Sequence, residues 1–254
     1  MPNQIQPHLL CKKGDVAPYV LLPGDPARVL RMAAMFDRYK EISYNREYRV
    51  VTGQYHGIPV SACSSGIGGP ASAIAIEELN KIGAKVIVRV GSCGGNLKSI
   101  KIGDLIIADS VVRQDHTCLD YVPLAYPAVA NSEVLSCIKE SAKNLKANCH
   151  CGLTVSVDAL YSPKTKEFKV FWREFGALAQ DMEASTVLTL CRLRNIKAGV
   201  ILLVVDQEGE KNVAGKIAKY SIQAKTNHGD LVKYEQKAIK VALDAVAAYH
   251  KNYG

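Results

Sequence analysis

The segment KVIVRVGSCGG, residues Lys85–Gly95, joins an apolar, β-branched run to a glycine-rich end and carries one basic residue in between. The run predicts a buried strand over Lys85–Val90, followed by a turn through Gly91 and Ser92. Arg89 cannot lose its proton, and an unpaired buried guanidinium costs several kcal/mol. We therefore expect Arg89 to face either a protein carboxylate or an anionic ligand.

Similar apolar runs recur along the chain and alternate with helical patterns. This alternation is typical of α/β folds with a largely parallel sheet that is buried on both faces. Because no repeat or linker interrupts it, we expect one domain over residues 1–254, with a mixed, largely parallel central sheet flanked by helices. The expected strands are Tyr19–Leu22, Tyr48–Gly53, Pro59–Ser64, Lys85–Val90, Asp104–Val112, Gly152–Val157, Ala177–Asp181 and Ala198–Asp206. The expected helices are Pro26–Met35, Pro70–Ile82, Ser132–Leu145, Lys166–Phe175, Ala184–Arg194 and Asp230–His250.

One segment, Gln207–Asn227, is polar and poorly periodic. Its composition fits either a loop that covers a site or a plain surface excursion.

The composition argues against several classes of protein. No apolar run approaches the ~20 residues of a membrane helix, and the first residues contain no signal-peptide core, so we expect a cytoplasmic protein without a membrane partner. The net charge of +8 is spread along the chain, which favours small anionic substrates over nucleic acid. Eight scattered cysteines indicate reduced thiols. The short Cys149–Cys151 motif has no second ligand cluster, so no metal site is expected.

Three strand-to-loop junctions have the composition of an anion site. LLPGDPARV turns at Gly24 and carries Arg28 in the first helical turn, CSSGIGGPAS enters a helix through three glycines, and VRVGSCGG places Arg89 near Ser92. Glycine lets backbone N–H groups approach an oxyanion, and arginine adds charge-assisted hydrogen bonds. None of the three has Walker or GxGxxG spacing. Two arginine-bearing turns at the carboxyl ends of strands predict a phosphate-sized anion site.

Acidic residues end two further strands. Asp181 and Glu183 flank Met182 in QDMEAST, where carboxylates either favour the following helix N-terminus or accept hydrogen bonds from a polyol such as a sugar. Asp206 ends the most apolar strand of the chain. There it either makes an Asx turn or, since burial favours the protonated carboxyl, acts as a general acid.

Together these segments resemble the nucleoside phosphorylase family, which includes hexameric purine nucleoside phosphorylases and uridine phosphorylases. The resemblance spans nearly the whole chain, and its motifs stand in order: GDPARV, YNREY, GIGGPASAIAIEEL, VIVRVGSCGG, SVDALYSP and DMEAST. It implies phosphorolysis of a nucleoside, with inorganic phosphate as co-substrate and no metal or organic cofactor. It also implies a homo-oligomer, a hexamer made of three dimers.

The resemblance assigns roles to individual residues. The implied phosphate ligands are Gly24, Arg28, Arg46, Arg89 and Ser92. The implied nucleoside-binding residues are His8, Ile67, Leu160, Tyr161, Asp181, Met182, Glu183 and Asp206. Glu183 would accept the ribose hydroxyls, whereas Arg46 and His8 would act across a subunit interface. Arg89 and Asp206 are the implied catalytic residues, the first on phosphate and the second as proton donor to the base.

The identity of the base depends on few residues. Asp206 matches the aspartate of purine-cleaving members, and Lys164 and Lys166 stand where pyrimidine-cleaving members have a Gln-x-Arg motif. GIGGPASAIAIEEL and PLAYPAVANSEV look closer to uridine phosphorylases. We expect a purine nucleoside phosphorylase, with uridine phosphorylase as the alternative; a water-using nucleosidase is disfavoured by the three phosphate arginines. No arginine matches the one that assists the catalytic aspartate in some members, and Lys216 or Lys219 could replace it.

Overall fold

Ten strands pair into one mixed sheet in the part of the chain that the structure, a computed structural model, describes: residues 4–207, 212–226 and 228–254. The strands are β1 (Tyr19–Leu22), β2 (Arg38–Asn45), β3 (Tyr48–Tyr55), β4 (Ile58–Cys63), β5 (Val86–Gly95), β6 (Leu105–Gln114), β7 (Ala128–Val129), β8 (Cys149–Val157), β9 (Ala179–Asp181) and β10 (Lys197–Asp206). The helices are α1 (Pro26–Ala33), α2 (Gly69–Ile82), α3 (Ser132–Asn144), α4 (Thr165–Glu174), α5 (Ala184–Leu193), α6 (Val213–Thr226) and α7 (Asp230–Tyr253). The expected single-domain α/β fold is confirmed.

Strand β5 is the hub of the sheet. It pairs parallel with β1 and β10 and antiparallel with β9. Strands β5, β10, β6, β8 and β9 pair in a closed ring, and β1, β4, β3 and β2 extend the sheet from β5. The carboxyl ends of β1, β5 and β10 therefore meet at one edge, where α/β folds bind their ligands.

Two hydrophobic cores cover the two faces of the sheet, as expected for parallel strands buried on both sides. Leu21 and Val88 belong to a core shared with α1, α3 and α7. Leu22 and Ile87, their neighbours in the chain, belong to a core shared with α2 and α5. Successive side chains of a strand point to opposite faces, so the near-continuous apolar runs follow directly from this two-sided burial.

The sequence predicted a turn at the glycine-rich end of Lys85–Gly95, and this prediction is wrong. Strand β5 continues to Gly95, because β10 pairs with it as far as Gly94. A Cβ on Gly91 would lie 2.7 Å from Nη2 of Arg89 and 2.8 Å from Cδ2 of Leu202. The glycine provides space inside a strand rather than conformational freedom at its end.

The structure adds two strands that the sequence did not indicate. Within the described residues, β2 is largely exposed and charged and pairs only with β3, while β7 has two residues and pairs only with β6. A polar strand at a sheet edge lacks the alternating apolar pattern, and its charges discourage pairing with other chains.

The segment Gln207–Asn227 is not simply a loop. Residues 213–226 form α6, whereas 208–211 and 227 lie outside the described residues. Tyr220 and Ala224 are buried four residues apart on one face of α6, and the backbone oxygen of Ala224 accepts a hydrogen bond from Arg31 of α1. Tertiary contacts, not a strong apolar period, thus stabilise this helix.

Among the described helices, none combines the length and the apolar character required to cross a bilayer.

Candidate active site

The carboxyl ends of β1, β4, β5, β9 and β10 border a cavity of about 2010 Å³. Most residues that the sequence assigned to phosphate or nucleoside line it: Gly24, Arg28, Ile67, Arg89, Ser92, Leu160, Tyr161, Asp181, Met182, Glu183 and Asp206. His8 and Arg46 do not. The fold thus gathers residues from six separate segments around one cavity large enough for a nucleoside and a second ligand.

Two glycine loops meet at one end of this cavity. The N–H of Gly66 donates to the carbonyl of Gly24 over 3.1 Å, and a Cβ on Gly24 would lie 3.0 Å from the Gly66 carbonyl oxygen. Asp25 begins α1 by accepting a hydrogen bond from the N–H of Ala27 over 2.8 Å. The close approach of the two loops favours glycine at residue 24.

Arg28 reaches the cavity from the first turn of α1 and is almost fully buried. Its Nε donates to Glu235 over 2.8 Å, Nη1 donates to the backbone oxygen of Val90 over 2.7 Å, and Nη2 contacts the Tyr220 hydroxyl. A guanidinium has five N–H donors, so two of them are left for a ligand.

Glu235 of α7 links this cluster to α6. Its carboxylate binds Arg28 and Arg31 and accepts a hydrogen bond from the hydroxyl of Tyr220. Burial alone would raise the pKa of Glu235, but the two guanidinium groups outweigh it and lower the pKa to about 2. The sequence did not indicate Glu235 or Tyr220, because both lie nearly 200 residues or more from Arg28 and carry no motif.

Of the two alternatives posed by the sequence for Arg89, the structure shows the protein carboxylate. Its Nε lies 3.3 Å from Oδ2 of Asp181, and Nη2 contacts the Glu183 carboxylate. Its Nη1 is buried and has no hydrogen-bond partner in the described part of the chain. Arg89 is therefore held by two carboxylates, lines the cavity and keeps one donor group unpaired among the described residues.

Asp181 and Glu183 have more than one role. Oδ2 of Asp181 accepts from the N–H of Ala184 over 2.9 Å at the start of α5, so the helix N-terminus interpretation holds for this residue. Oε1 of Glu183 accepts from the N–H of Gly68 over 2.7 Å. Burial raises the pKa of the Glu183 carboxyl above its ordinary value, against the opposing charge of Arg89. Each carboxylate has about four acceptor sites, so Glu183 can still accept ligand hydroxyls.

Asp206 has a cationic partner that the sequence did not identify. Nζ of Lys169, from α4, lies 3.0 Å from Oδ2 of Asp206. Oδ1 of Asp206 is buried and has no partner among the residues that the structure describes. Lys216 and Lys219, the candidates from sequence, are not among the residues that line the cavity. Lys169 lies within the helix expected over Lys166–Phe175, but helical periodicity does not specify a partner on a distant strand.

The rim of the cavity is apolar and open. The side chains of Ile67 and Tyr161 are 79% and 82% exposed, whereas Leu160 and Met182 are partly buried. Large apolar side chains this exposed beside a cavity are typical of surfaces that a ligand or a second protein covers.

His8 and Arg46 lie together outside the cavity. Glu78, which is buried, accepts hydrogen bonds from the backbone N–H of His8 and contacts its Nδ1 over 2.7 Å. Asn45, beside Arg46, donates to the carbonyl of His8 over 2.9 Å. Arg46 is exposed at the turn between β2 and β3, with a φ of 54°. The two residues therefore form one surface patch.

The described residues hold no cluster of three or more His, Cys, Asp or Glu side chains arranged to bind a metal ion. All eight cysteines are free thiols; six are buried, and Cys149 and Cys151 are exposed.

Known proteins resemble this chain over most of its length. The phosphorylase superfamily matches residues 18–247. Uridine phosphorylase of Thermococcus kodakarensis is 45% identical over 79% of this chain and 76% of its own, and guanosine phosphorylase of Halorubrum lacusprofundi is 34% identical over 96% and 98%. The crystal structure of Vibrio fischeri uridine phosphorylase with 6-hydroxy-1-naphthoic acid has a TM-score of 0.86 at 34% identity and covers 96% of both chains. The crystal structure of Toxoplasma gondii purine nucleoside phosphorylase with immucillin-H has a TM-score of 0.82 at 31% identity. It covers 100% of this chain and 98% of its own.

Fold, cavity and relatives agree on the class: the chain belongs to the phosphorylase superfamily. Within that superfamily it is an enzyme of the nucleoside phosphorylase type, a pentosyltransferase.

Proposed function

We propose that this enzyme cleaves the N-glycosidic bond of (deoxy)ribonucleosides with inorganic phosphate, giving free base and (deoxy)ribose 1-phosphate. The observation that carries the proposal is the buried, unpartnered Nη1 of Arg89 in the cavity wall, within the described residues. A buried donor without a partner costs about 1–3 kcal/mol or more, which a bound oxyanion would recover. No metal or organic cofactor takes part in this scheme, and we place the enzyme in the cytoplasm.

Phosphate and nucleoside would occupy neighbouring parts of the cavity. Phosphate would bind at Arg89, Arg28, Ser92 and the Gly24 loop, and Glu183 would accept the ribose hydroxyls. A phosphate oxygen then forms a bond to C1′ while the bond from C1′ to the base nitrogen breaks. The electron pair of the broken bond leaves with the base. The phosphate dianion stabilises the positive charge that develops on the sugar.

Different observations favour two nucleosides. Most of the highly similar relatives are uridine phosphorylases, which favours uridine. The acidic strand end at Asp206, together with Lys164 and Lys166 in place of a Gln-x-Arg fork, favours a purine nucleoside. In this structure Asp206 forms an ion pair with Lys169.

Turnover of inosine and uridine should require phosphate. We expect release of free base to be at least roughly 100-fold faster with saturating phosphate than with sulfate at the same ionic strength, because the attacking group is the phosphate itself. The measurement is chromatography of base and sugar phosphate over time. Cleavage at the same rate in both buffers, with free ribose as product, would instead identify a nucleosidase.

We also propose that the active unit is at least a dimer, assembled into a hexamer, in which Arg46 and His8 serve a neighbouring subunit. Arg28 and Arg89 are already paired with Glu235 and with Asp181 and Glu183, so their own charge is largely compensated. Arg46 is exposed, is in no ion pair of the described chain and lies outside its own cavity. It can supply the missing positive charge for phosphate only from a second subunit.

Arg46→Ala should raise KM for phosphate roughly 10- to 100-fold, the value of one lost charge-assisted hydrogen bond, without changing the circular dichroism spectrum. Arg38→Ala removes a second exposed arginine from β2 and should leave KM unchanged.

Subunit mixing separates the two arrangements. Arg46→Ala and Asp206→Asn protomers, each impaired alone, should regain part of the activity when coexpressed, because one site then contains both native residues. Absence of any recovery in verified mixed oligomers would place Arg46 in its own subunit's site or outside catalysis.

A further inference from the structure

The ion pair of Lys169 and Asp206 lies in the cavity wall, at the end where the sequence placed the base. Nζ and Oδ2 are 3.0 Å apart, and the side chains are 17% and 4% exposed. Lys169 comes from α4 and Asp206 is the last residue of β10, so only the tertiary fold joins them. No motif in the sequence assigns a role to Lys169.

The surrounding backbone is shaped to admit this pair. Gly94 lies opposite Asp206 in the pairing of β5 with β10. A Cβ on Gly94 would lie 2.9 Å from Nζ of Lys169 and 3.2 Å from Oδ2 of Asp206. A side chain at this residue would crowd the Asp206 carboxylate and displace the flexible end of Lys169. The absence of a side chain at Gly94 leaves room for the pair, and both charged side chains are largely buried.

The pair has hydrogen-bonding capacity left over on both sides. Oδ1 of Asp206 is buried with no partner in the described chain, so one acceptor is open. An ammonium has three N–H donors, and Lys169 uses one of them on Asp206. A hydrogen-bond acceptor and a cationic donor thus stand side by side in a cavity that is otherwise apolar at its rim.

We propose that Lys169 and Asp206 together read the lactam edge of the base, a carbonyl next to a ring N–H, so that the enzyme selects oxo bases over amino bases. This inference rests on the proposed phosphorolysis. The base carbonyl accepts from Lys169, and the neighbouring ring N–H donates to Oδ1 of Asp206. Guanine, hypoxanthine and uracil all carry this edge, which reconciles a purine site with relatives that are mostly uridine phosphorylases.

Amino bases present the opposite pattern. Adenine and cytosine carry an amino donor beside an unprotonated ring nitrogen. In the same position the amino group would face the ammonium and the ring nitrogen would face the carboxylate, so both contacts become repulsive. Lys169 has a second effect. As the glycosidic bond breaks, negative charge spreads onto the carbonyl oxygen of an oxo base, and the ammonium stabilises that charge.

The test compares kcat/KM for inosine, uridine, adenosine and cytidine at saturating phosphate. We expect inosine to exceed adenosine, and uridine to exceed cytidine, by at least about 10²-fold, as sites built around a substrate hydrogen bond commonly discriminate. Lys169→Met should reduce both ratios to below about 10, mainly through loss of the oxo substrates, and Lys169→Arg should restore part of the preference. Lys197→Met removes the lysine at the other end of β10, paired with Glu133 at 3.4 Å, and should leave the ratios unchanged.

The outcomes separate this inference from the function on which it rests. Phosphate-dependent cleavage with adenosine equal to inosine in the unmodified enzyme would overturn the lactam inference and leave phosphorolysis intact. Unchanged ratios in folded Lys169→Met would do the same. Cleavage that ignores phosphate would overturn the proposed function instead. The comparison of adenosine with inosine needs only the unmodified enzyme. The lactam inference therefore stays testable even if the Lys169→Met variant folds poorly.

Discussion

Replacing Arg89 with methionine is expected to lower kcat/KM for phosphate by roughly 10²- to 10³-fold, the effect typical of removing one preorganised donor to an anionic transition state. The free energy of unfolding should also fall by about 3–5 kcal/mol, because the change leaves Asp181 and Glu183 facing each other in the interior without a cation. Both effects follow from one fact: Arg89 pairs with two buried carboxylates and keeps Nη1 free.

Urea unfolding and phosphate titrations of initial rate measure the two effects separately. Arg89→Lys retains the charge but not the forked geometry, so it should recover more stability than activity. Arg194→Met is the matched control. It removes an arginine that forks onto Glu77 outside the cavity, and this partly exposed pair should contribute about 1 kcal/mol. An unchanged KM for phosphate in folded Arg89→Met would show that Arg89 is a structural clamp only.

Glu235→Gln is expected to cost about 3–5 kcal/mol of stability at neutral pH, since it leaves Arg28 and Arg31 without their shared buried carboxylate. It should also weaken phosphate binding, because Glu235 fixes the position of the Arg28 guanidinium. Glutamine keeps the size of the side chain and can still accept from Tyr220, so the change isolates the charge.

The effect of Glu235→Gln should depend on pH in a defined direction. In the folded protein the pKa of Glu235 falls from its ordinary 4.5 to about 2. A carboxyl with a lowered folded-state pKa contributes its stability fully above the unfolded value and loses it as pH falls through the folded value. The contribution, roughly 3 kcal/mol for a shift of this size, should therefore be complete above about pH 5 and vanish toward pH 2.

Unfolding free energies of the parent and the variant, measured from pH 7 down to pH 3, check this directly: their difference should shrink as the pH falls. Glu41→Gln is the control, since its exposed pair with Arg49 should give a small, nearly constant difference. A difference that stays constant between pH 7 and pH 3 would mean that the cluster does not depend on the ionised carboxylate.

The sequence by itself determined the α/β class and most of the elements. Near-continuous apolar strands such as Tyr19–Leu22 carry their two-sided burial in local composition, and that burial requires helices on both faces. It also determined that Arg89 needs a counter-charge, because the physics of a buried guanidinium does not depend on the fold. Motifs at strand ends located the cavity, since carboxyl ends of parallel strands converge.

Only the tertiary structure decided which groups meet. Lys169 joins Asp206, and Glu235 joins Arg28, across 37 and 207 residues of chain, and no local pattern encodes such contacts. The glycines of β5 looked like a turn because turns and close packing both select glycine; the pairing with β10 made them part of a strand. Composition and periodicity are local properties, whereas partners, register and space are set by the whole packed chain.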